Sequence, residues 1–473
     1  MSKTLTVIYI VVSILFIGPH AKSAHRDERV GVGGTSNLVP MSTLSRGEMY
    51  QRAMAVLEYY GVPKEDESGP YLADLASSQS LTRIQKVLPF LDPHNVLSRF
   101  SELSPQELTT FLDLDSKQLI DVRVPLKKSD SAPTLRPKNL FLNSALAGDP
   151  NQPLKGLRIA LDPGHMGGKF WDDLTSKFVR DRNGRTVSEG VIALQVCILL
   201  RQQLQDLGAE VMLTHEGFAP VTNLDYATFD LKPFALSELR DSVNLPWFQN
   251  LLNVSPPGPS LYQAFDRSTS LKKLFSNSSR DDYFIKRADL WARADLINNF
   301  NADLVLIVHF DTDEPAGNST GLNSKAPKQT KAFVVGGYQP GELSSREGRK
   351  YFTRHLLDGD SWDHSLLLSR SIVQQFQKKM GQSLPTSADE ETYVIEPGIF
   401  ARNLVIPRRL KAPVISYLEC LFYNRPDEFE ALLKTPHSMI IQGQNVPYSE
   451  RVVQVTNSIR DGILDYVQQI APK

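Results

Sequence analysis

Short apolar runs alternate with segments of helical periodicity throughout the part of the chain that begins at residue 156. Two runs, at 157–161 and 303–309, have strand length and few polar residues. Between them, apolar residues recur every three to four positions over 189–207, as in a helix. Further strands are predicted at 210–214, 331–335 and 412–418, and further helices at 284–300, 365–380, 427–433 and 449–470. The alternation predicts an α/β fold over 156–473: a mostly parallel twisted sheet with helices on both faces.

The residues before 156 fall into segments of different composition. Residues 1–24 combine an early lysine, an apolar run and small residues, which is the pattern of a signal peptide. Residues 25–44 are rich in Gly and Ser and are predicted to be a flexible lead-in. Helical spacing predicts a smaller, mainly helical N-terminal region at 45–126, and repeated prolines predict a linker at 127–155.

The apolar run of the signal segment is shorter than the roughly 20 residues that a membrane span needs. No later segment of the sequence is apolar for long enough to cross a bilayer. We therefore expect an exported protein, periplasmic or elsewhere in the cell envelope, whose mature chain has no transmembrane span. An uncleaved membrane anchor is the alternative.

The charge and cysteine counts exclude two classes of function. Lys and Arg total 52 against 53 acidic residues, so the net charge of −1 gives no electrostatic basis for binding nucleic acid. The two cysteines, Cys197 and Cys420, are too few for a structural zinc site built from several thiolates. They could pair in an oxidising compartment, but their places in a predicted helix and strand favour buried thiols.

Four chemically active residues lie where predicted strands end or a helix begins. His165 follows the first strand, His309 and Glu419 end later strands, and Glu189 opens a helix. In a parallel sheet the carboxyl ends of the strands meet at one edge, where ligands bind. The sequence therefore predicts that these four side chains share one site.

Two imidazoles and a carboxylate are the ligand set of a catalytic zinc ion that keeps an open position for water. His165, Glu189 and His309 are the predicted ligands of one Zn²⁺, and Glu419 is the predicted proton acceptor. The alternative is that each histidine is structural and Glu189 only a helix cap. A bare charge at Glu419, after an apolar strand, would be costly without a partner.

The segments around these residues share motifs with a known family. They read Leu161-Asp162-Pro163-Gly164-His165, Ser188-Glu189-Gly190, Ile307-Val308-His309 and Leu418-Glu419. In this order, over 156–470, they resemble the zinc-dependent N-acetylmuramoyl-L-alanine amidases of bacterial cell-wall metabolism. The resemblance implies hydrolysis of the amide between N-acetylmuramic acid and L-alanine in peptidoglycan. Arg293 matches an arginine of the family, and Arg293, Arg402 and Asp311 are candidates for substrate contacts or for supporting the ligands.

Three departures from the family pattern bear on substrate preference. Met166 stands where the family commonly has glycine, His215 replaces an arginine, and Phe310-Asp311 replaces an Ala-Asn pair. None of them removes a predicted ligand. A role for His215 as a fourth group near the metal is an alternative interpretation.

Two insertions, 217–282 and 313–364, lengthen connections that the family makes more briefly. Because the second follows His309, we expect it to overhang the metal and to gate the cleft until a partner protein moves it. A surface elaboration without control function is the alternative.

Three other functions compete with the amidase hypothesis. Gly317-Asn318-Ser319-Thr320-Gly321 matches the nucleophile elbow of serine hydrolases, but the required strand and helix are not predicted around it. A peptidoglycan-binding or regulatory protein of the same fold would be non-catalytic. A zinc peptidase would use the same four residues on another amide.

Overall fold

The computed structural model describes residues 90, 151–231, 277–313, 321–338, 351, 355, 359–388 and 392–470. The predicted signal peptide, lead-in, helical N-terminal region apart from Phe90, and most of the linker lie outside these ranges, as does Ser319 of the elbow pattern. The chain divides into two compact units. One comprises Met1–Val124, Tyr226–Phe284 and Tyr338–Leu357, and the other Pro125–Asp225, Ile285–Gly337 and Asp358–Lys473. The sheet and the site described below belong to the second unit.

The strands and helices follow the alternation that the sequence predicts. The strands are β1 (Arg158–Pro163), β2 (Phe178–Arg180), β3 (Thr186–Ser188), β4 (Glu210–Leu213), β5 (Leu304–Asp311), β6 (Lys331–Val335), β7 (Tyr393–Glu396), β8 (Ile399–Arg402), β9 (Val414–Phe422), β10 (His437–Ile441) and β11 (Gln444–Tyr448). The α-helices are α1 (Lys169–Thr175), α2 (Glu189–Asp206), α3 (Asn277–Tyr283), α4 (Leu290–Phe300), α5 (Gly359–Met380), α6 (Val405–Arg409), α7 (Pro426–Leu433) and α8 (Glu450–Ile470). A π-helical segment, Phe284–Asp289, joins α3 to α4 within the predicted helix 284–300.

Seven strands form the central sheet in the order β4-β1-β5-β9-β6-β8-β7. Strands β4, β1, β5 and β9 are parallel to one another, and β6 is parallel to β8. The β9–β6 and β8–β7 pairs are antiparallel. The prediction of a mostly parallel α/β sheet is therefore confirmed.

Strand β5 is the centre of the hydrophobic core. All of its residues except the last, Asp311, are buried, because β1 and β9 flank it and helices cover the sheet. Helix α2 packs on β1 and β5, α5 packs on β9, and α8 packs against both helices. After β1 the chain passes through α2 to β4 on one side of β1. It then returns through α4 to β5 on the other side of β1. Because parallel crossovers are right-handed, α2 and α4 cover opposite faces.

Two strands continue beyond the ends that the sequence predicts. Strand β5 runs past His309 to Asp311, and β9 runs past Glu419 to Phe422. The prediction that His309 and Glu419 end their strands is therefore wrong. Beyond His309 and Glu419, strands β5 and β9 remain paired as far as Asp311, which lies opposite Phe422. The register of this pairing shifts after His309. Among the described residues, no helix is both long and apolar enough to span a bilayer.

Candidate metal centre

Three of the four predicted site residues come together at the carboxyl-terminal edge of the sheet. Nitrogen or oxygen atoms of His165, Glu189 and His309 all lie within 4.8 Å of one another. The His309 Nδ1 atom is 3.0 Å from Glu189 Oε1, and the His165 Nε2 atom is 3.3 Å from the same oxygen. The two imidazole rings meet edge to face, with 4.7 Å between their centres. The cluster thus has one carboxylate oxygen directed at two ring nitrogens.

The turn after β1 places His165 against His309. Gly164 donates its N–H to the Val308 carbonyl at 2.8 Å, which continues the parallel pairing with β5. A Cβ atom at Gly164 would lie 2.5 Å from His309 Nδ1, so only glycine leaves room for that ring. His165 itself has a φ of 61°. A non-glycine residue in this left-handed conformation costs about 1–3 kcal/mol, and such residues cluster at functional sites.

Arg293, on helix α4, stabilises the turn that contains His165. Its guanidinium donates to the Pro163 carbonyl at 2.6 Å and to the His165 carbonyl at 3.0 Å. It also pairs with Asp289 at 2.8 Å and with Asp162 at 3.3 Å. The side chain is 1% exposed, so Arg293 supports the first histidine and is closed to substrate.

The start of α2 fixes Glu189. Ser188 caps the helix and Glu189 is its first residue, where the helix dipole favours a carboxylate. At Gly190 a Cβ atom would lie 2.2 Å from the Met166 carbonyl oxygen, so glycine lets the helix start close to the His165 loop. The Phe310 N–H donates to Glu189 Oε1 at 3.2 Å. The carboxylate is therefore oriented by backbone as well as by the histidines.

The electrostatics of the cluster favour a metal-binding state. Burial lowers the pKa of His165 to about 4, so its imidazole is neutral near pH 7 and has a lone pair for a metal. Burial alone would raise the pKa of Glu189. The charges of His165 and Lys177 and the hydrogen bonds from both histidines instead hold this pKa well below its ordinary value. Glu189 is thus an anion beside the neutral imidazole of His165.

Glu419 lies beside the cluster but outside the group of ligand atoms. Strands β5 and β9 pair His309 directly with Glu419. Burial, together with the negative charges of Asp311 and Glu189, raises the pKa of Glu419 well above its ordinary value. Its Oε2 atom is buried and has no hydrogen-bond partner among the described residues. Because burial disfavours its charged form, this carboxylate binds a proton strongly.

Asp311 and Arg402 occupy different surroundings. The Asp311 carboxylate forms an ion pair of 2.7 Å with Lys331, the residue that pairs with Glu419 across β6 and β9. The Arg402 guanidinium lies 5.7 Å from the Phe333 ring centre, and its charge acts on Tyr417, whose ring stacks on His309. Asp311 therefore adjoins the site through Glu419, and Arg402 adjoins it through Tyr417.

His215 is not a member of the metal-ligand group. Its Nδ1 atom is 3.3 Å from the Thr214 hydroxyl, and its ring lies against the His165 backbone. Burial and the charge of Arg293 lower its pKa well below the ordinary value. The alternative that His215 is a fourth group near the metal is therefore not supported: it lies behind the first ligand.

The donor set and its spacing fit a zinc ion. Zinc bonds of about 2.0–2.1 Å in a tetrahedral arrangement hold ligand atoms roughly 3.3 Å apart. The measured separations of 3.0 and 3.3 Å from Glu189 Oε1 to the two histidines are close to this value. Glu419, whose Oε2 atom has no partner among the described residues, lies opposite His309 on the adjacent strand.

Sequence reasoning missed two residues of this centre. The Tyr417 ring stacks on the His309 ring, with 4.6 Å between centres and 13° between planes. The two-residue period of a strand could have placed Tyr417 on the same face as Glu419. Lys177 lies 3.9 Å from Glu189 Oε2, and no sequence motif pointed to it. Cys197 and Cys420 are free and buried, which confirms the expectation for the thiols.

No protein-family model and no curated protein matches the sequence. Solved structures similar to this chain include the CwlD amidase of Clostridioides difficile in complex with the GerS lipoprotein, at 15% identity and a TM-score of 0.34, covering 66% of this chain and 100% of that one. They also include the N-acetylmuramyl-L-alanine amidase Ami1 of Mycobacterium smegmatis, at 13% identity and a TM-score of 0.35, covering 67% of this chain and 99% of that one. The amidase AmiC2 of Nostoc punctiforme has 11% identity and a TM-score of 0.33, covering 67% and 99%. These structural neighbours are N-acetylmuramoyl-L-alanine amidases.

Proposed function

We propose that this protein is a zinc-dependent N-acetylmuramoyl-L-alanine amidase. It hydrolyses the amide between N-acetylmuramic acid and L-alanine in peptidoglycan. The observation that carries the proposal is the convergence of His165, Glu189 and His309 within 4.8 Å, with Glu419 paired to His309 on the adjacent strand. The reaction class follows from this ligand set, and the particular amide follows from the motif resemblance.

His165, Glu189 and His309 would hold the ion. A bound zinc ion supplies Lewis acidity, which polarises a carbonyl group and makes water a nucleophile near neutral pH. The neutral state of His165 and the anionic state of Glu189 are the protonation states that binding requires. Stacking on Tyr417 and the lack of space at Gly164 keep the His309 ring in one orientation.

Glu419 moves the proton. Its carboxylate takes a proton from the attacking water and delivers it to the departing amide nitrogen. Burial raises its pKa, and that increases its affinity for the proton in the first step. The ion pair between Asp311 and Lys331 limits the negative charge that accumulates next to it.

We propose that the protein is exported to the cell envelope, where its polymeric substrate lies, and that an activator protein relieves a gating insertion. Part of the insertion 313–364 is strand β6 of the central sheet, so gating can involve only the remainder.

Mass spectrometry of purified muropeptides after incubation with the mature, zinc-loaded protein tests the activity. Release of intact stem peptide from the glycan, abolished by a chelator and restored by zinc, is the expected result. Cleavage within the stem peptide would instead establish a peptidase. Zinc binding with no cleavage of muropeptides or sacculi would favour a non-catalytic binding protein.

A further inference from the structure

Strand β9, the fourth of the seven strands in the central sheet, is open to solvent at two of its residues. Tyr417 and Glu419 are partly exposed, and the other seven residues of the strand are buried. The two lie two positions apart, so the period of a strand puts both side chains on the same face of the sheet. A cleft therefore reaches the middle of the sheet on the face that carries Glu419.

Two aromatic contacts hold the Tyr417 ring in this cleft. It stacks on the His309 ring of β5, with 4.6 Å between centres and 13° between planes. On the other side, the Phe333 ring of β6 meets it at 64°, with 5.8 Å between centres. Phe333 also pairs directly with Tyr417 across β6 and β9. The phenol is thus fixed between a proposed metal ligand and a buried core residue.

The hydroxyl group of Tyr417 lies at the open end of this ring. Side chains of a strand stand roughly perpendicular to the sheet, and the phenol is longer than the imidazole on which it stacks. The hydroxyl therefore extends from the sheet at least as far as the His309 ring. No described residue forms a hydrogen bond with it, and it is not one of the buried polar atoms that lack a partner. The hydroxyl is therefore accessible from the cleft.

Packing alone does not account for a tyrosine at this position. Phenylalanine would make the same ring contacts with His309 and Phe333 without placing a polar group beside them. In a site that hydrolyses an amide, the carbonyl oxygen is the atom that needs a hydrogen-bond donor, because negative charge develops on it as water attacks. A phenol keeps its proton near neutral pH and can serve as that donor.

We propose that the Tyr417 hydroxyl donates a hydrogen bond to the oxygen of the scissile carbonyl and stabilises the negative charge that develops there. This inference rests on the proposed function, because it requires the amide to enter the cleft beside His309 and Glu419. It makes Tyr417 a further catalytic residue, separate from the three proposed ligands and from the proton acceptor.

The test removes the hydroxyl and keeps the ring. The proteins are the zinc-loaded mature chain and its Tyr417→Phe and Tyr448→Phe variants. Tyr448 is a matched control, because its ring also stacks on a histidine, His437, with 5.1 Å between centres. That pair belongs to the β10–β11 hairpin, which contributes no residue to the proposed metal centre.

Three quantities are measured for each protein. They are kcat and KM on a muropeptide, the zinc content, and the Kd of a phosphinate analogue of N-acetylmuramoyl-L-alanine. In this analogue P(O)(O⁻)–CH₂ replaces the scissile CO–NH, so its charged tetrahedral oxygens stand in for the carbonyl oxygen during attack. Calorimetry measures its binding without any turnover.

Tyr417→Phe should lower kcat by roughly 10²- to 10³-fold with little change in KM, as expected for the loss of one donor to a developing oxyanion. It should bind the phosphinate roughly 10- to 100-fold more weakly, because a hydrogen bond to a charged group is lost. Both variants should keep one zinc ion. Tyr448→Phe should keep the wild-type kcat and Kd.

Unchanged kcat in Tyr417→Phe overturns the inference and leaves the ring only its contact with His309. A loss of zinc from that variant also overturns it, because the hydroxyl would then act on the metal site and not on the substrate. If the wild type cleaves no muropeptide, the proposed function fails. The phosphinate then decides the inference separately, and equal binding to wild type and Tyr417→Phe, or binding to neither, overturns it.

Discussion

Glu419 has a carboxylate oxygen that is buried and accepts no hydrogen bond from any described residue. An unsatisfied buried polar atom costs about 1–3 kcal/mol, and more when it is charged. On the adjacent strand and nearby, His309 and His165 each have a ring nitrogen within 3.3 Å of Glu189 Oε1. This contrast between three side chains in close contact and one carboxylate oxygen without a partner among the described residues separates the proposed ligands from the proposed proton acceptor.

Replacing Glu419 by Gln should leave zinc bound and remove nearly all turnover. The amide has a similar shape but cannot take a proton, and loss of general-base catalysis lowers rates by roughly 10²- to 10⁴-fold. Zinc content by metal analysis and kcat on muropeptides check this. Substantial activity in the Gln variant would assign proton transfer to another group.

Replacing His309 by Ala should abolish zinc binding, because one of three ligands is lost. Zinc that binds only the folded state raises the melting temperature, and at a concentration of 100 times Kd it stabilises by about 2.7 kcal/mol. We expect this zinc-dependent rise in the wild type and none in His309→Ala. The control is His437→Ala on β10, whose imidazole pairs with Glu450 at 3.0 Å. A rise that persists in His309→Ala would contradict the ligand assignment.

At the scale of elements, the site depends on how the turn after β1 is held between β5 and α4. Arg293, on α4, carries the contacts from that helix to the Pro163 and His165 carbonyls. The same guanidinium neutralises Asp289 and Asp162, both almost fully buried. A single side chain thus links the fold of the sheet edge to the orientation of the first ligand.

Arg293→Met should destabilise the protein by about 3–5 kcal/mol, because it leaves two buried carboxylates without their cation. Arg293→Lys should be intermediate and should also weaken zinc binding, since the carbonyl of His165 loses its donor. Unfolding by denaturant and zinc titration measure the two effects. The control is Arg201→Met, which removes a surface ion pair with Glu216 and should cost less than about 1 kcal/mol. Equal effects of Arg293→Met and Arg201→Met would contradict this account.

At the scale of the whole molecule, charged groups lie at both edges of the parallel sheet. The metal centre occupies the carboxyl-terminal edge. At the other edge, Asp303 precedes β5 and accepts the Arg158 N–H at 2.8 Å. Burial raises the pKa of Asp303 to about 6 from an ordinary value of 3.8, although the Arg158 hydrogen bond and charge oppose the rise. The sheet therefore contains a titrating group that takes no part in the proposed chemistry.

The stability of the protein should respond to this group. Between about pH 4 and pH 6 the folded state keeps a proton on Asp303 that the unfolded chain releases. The stabilisation that Asp303 contributes is therefore full below pH 4 and is lost as the pH rises through 6. The unfolding free energy should fall more steeply over this interval in the wild type than in Asp303→Asn.

Denaturant unfolding at several pH values checks this prediction. Asp295→Asn, a change at an exposed position of α4, is the control and should follow the wild type. Parallel profiles for the wild type and Asp303→Asn would show that Asp303 ionises alike in both states.

Much of the architecture and most of the centre could be predicted from the sequence. Apolar period and length are local properties, and they located β1, β4, β5, β6 and β9. The rule that parallel strands end at one edge then brought His165 and His309 together with Glu189 at the start of a helix. A metal site could be predicted because its proposed ligands lie just after a strand, within a strand or at the start of a helix.

Other features were decided only by the tertiary structure. The extension of β9 past Glu419, the reversed direction of β6 and the stacking of Tyr417 on His309 depend on which strands become neighbours. The burial of Arg293 depends on contacts between segments that are distant in sequence. The approach of Lys177 to Glu189 depends on how the β2–β3 hairpin folds back to the start of α2. Local periodicity determines an element, but it does not encode register, strand order or the packing of side chains between elements. For this reason the sequence alone determined the α/β class and the candidate ligands, and the folded chain determined what surrounds them.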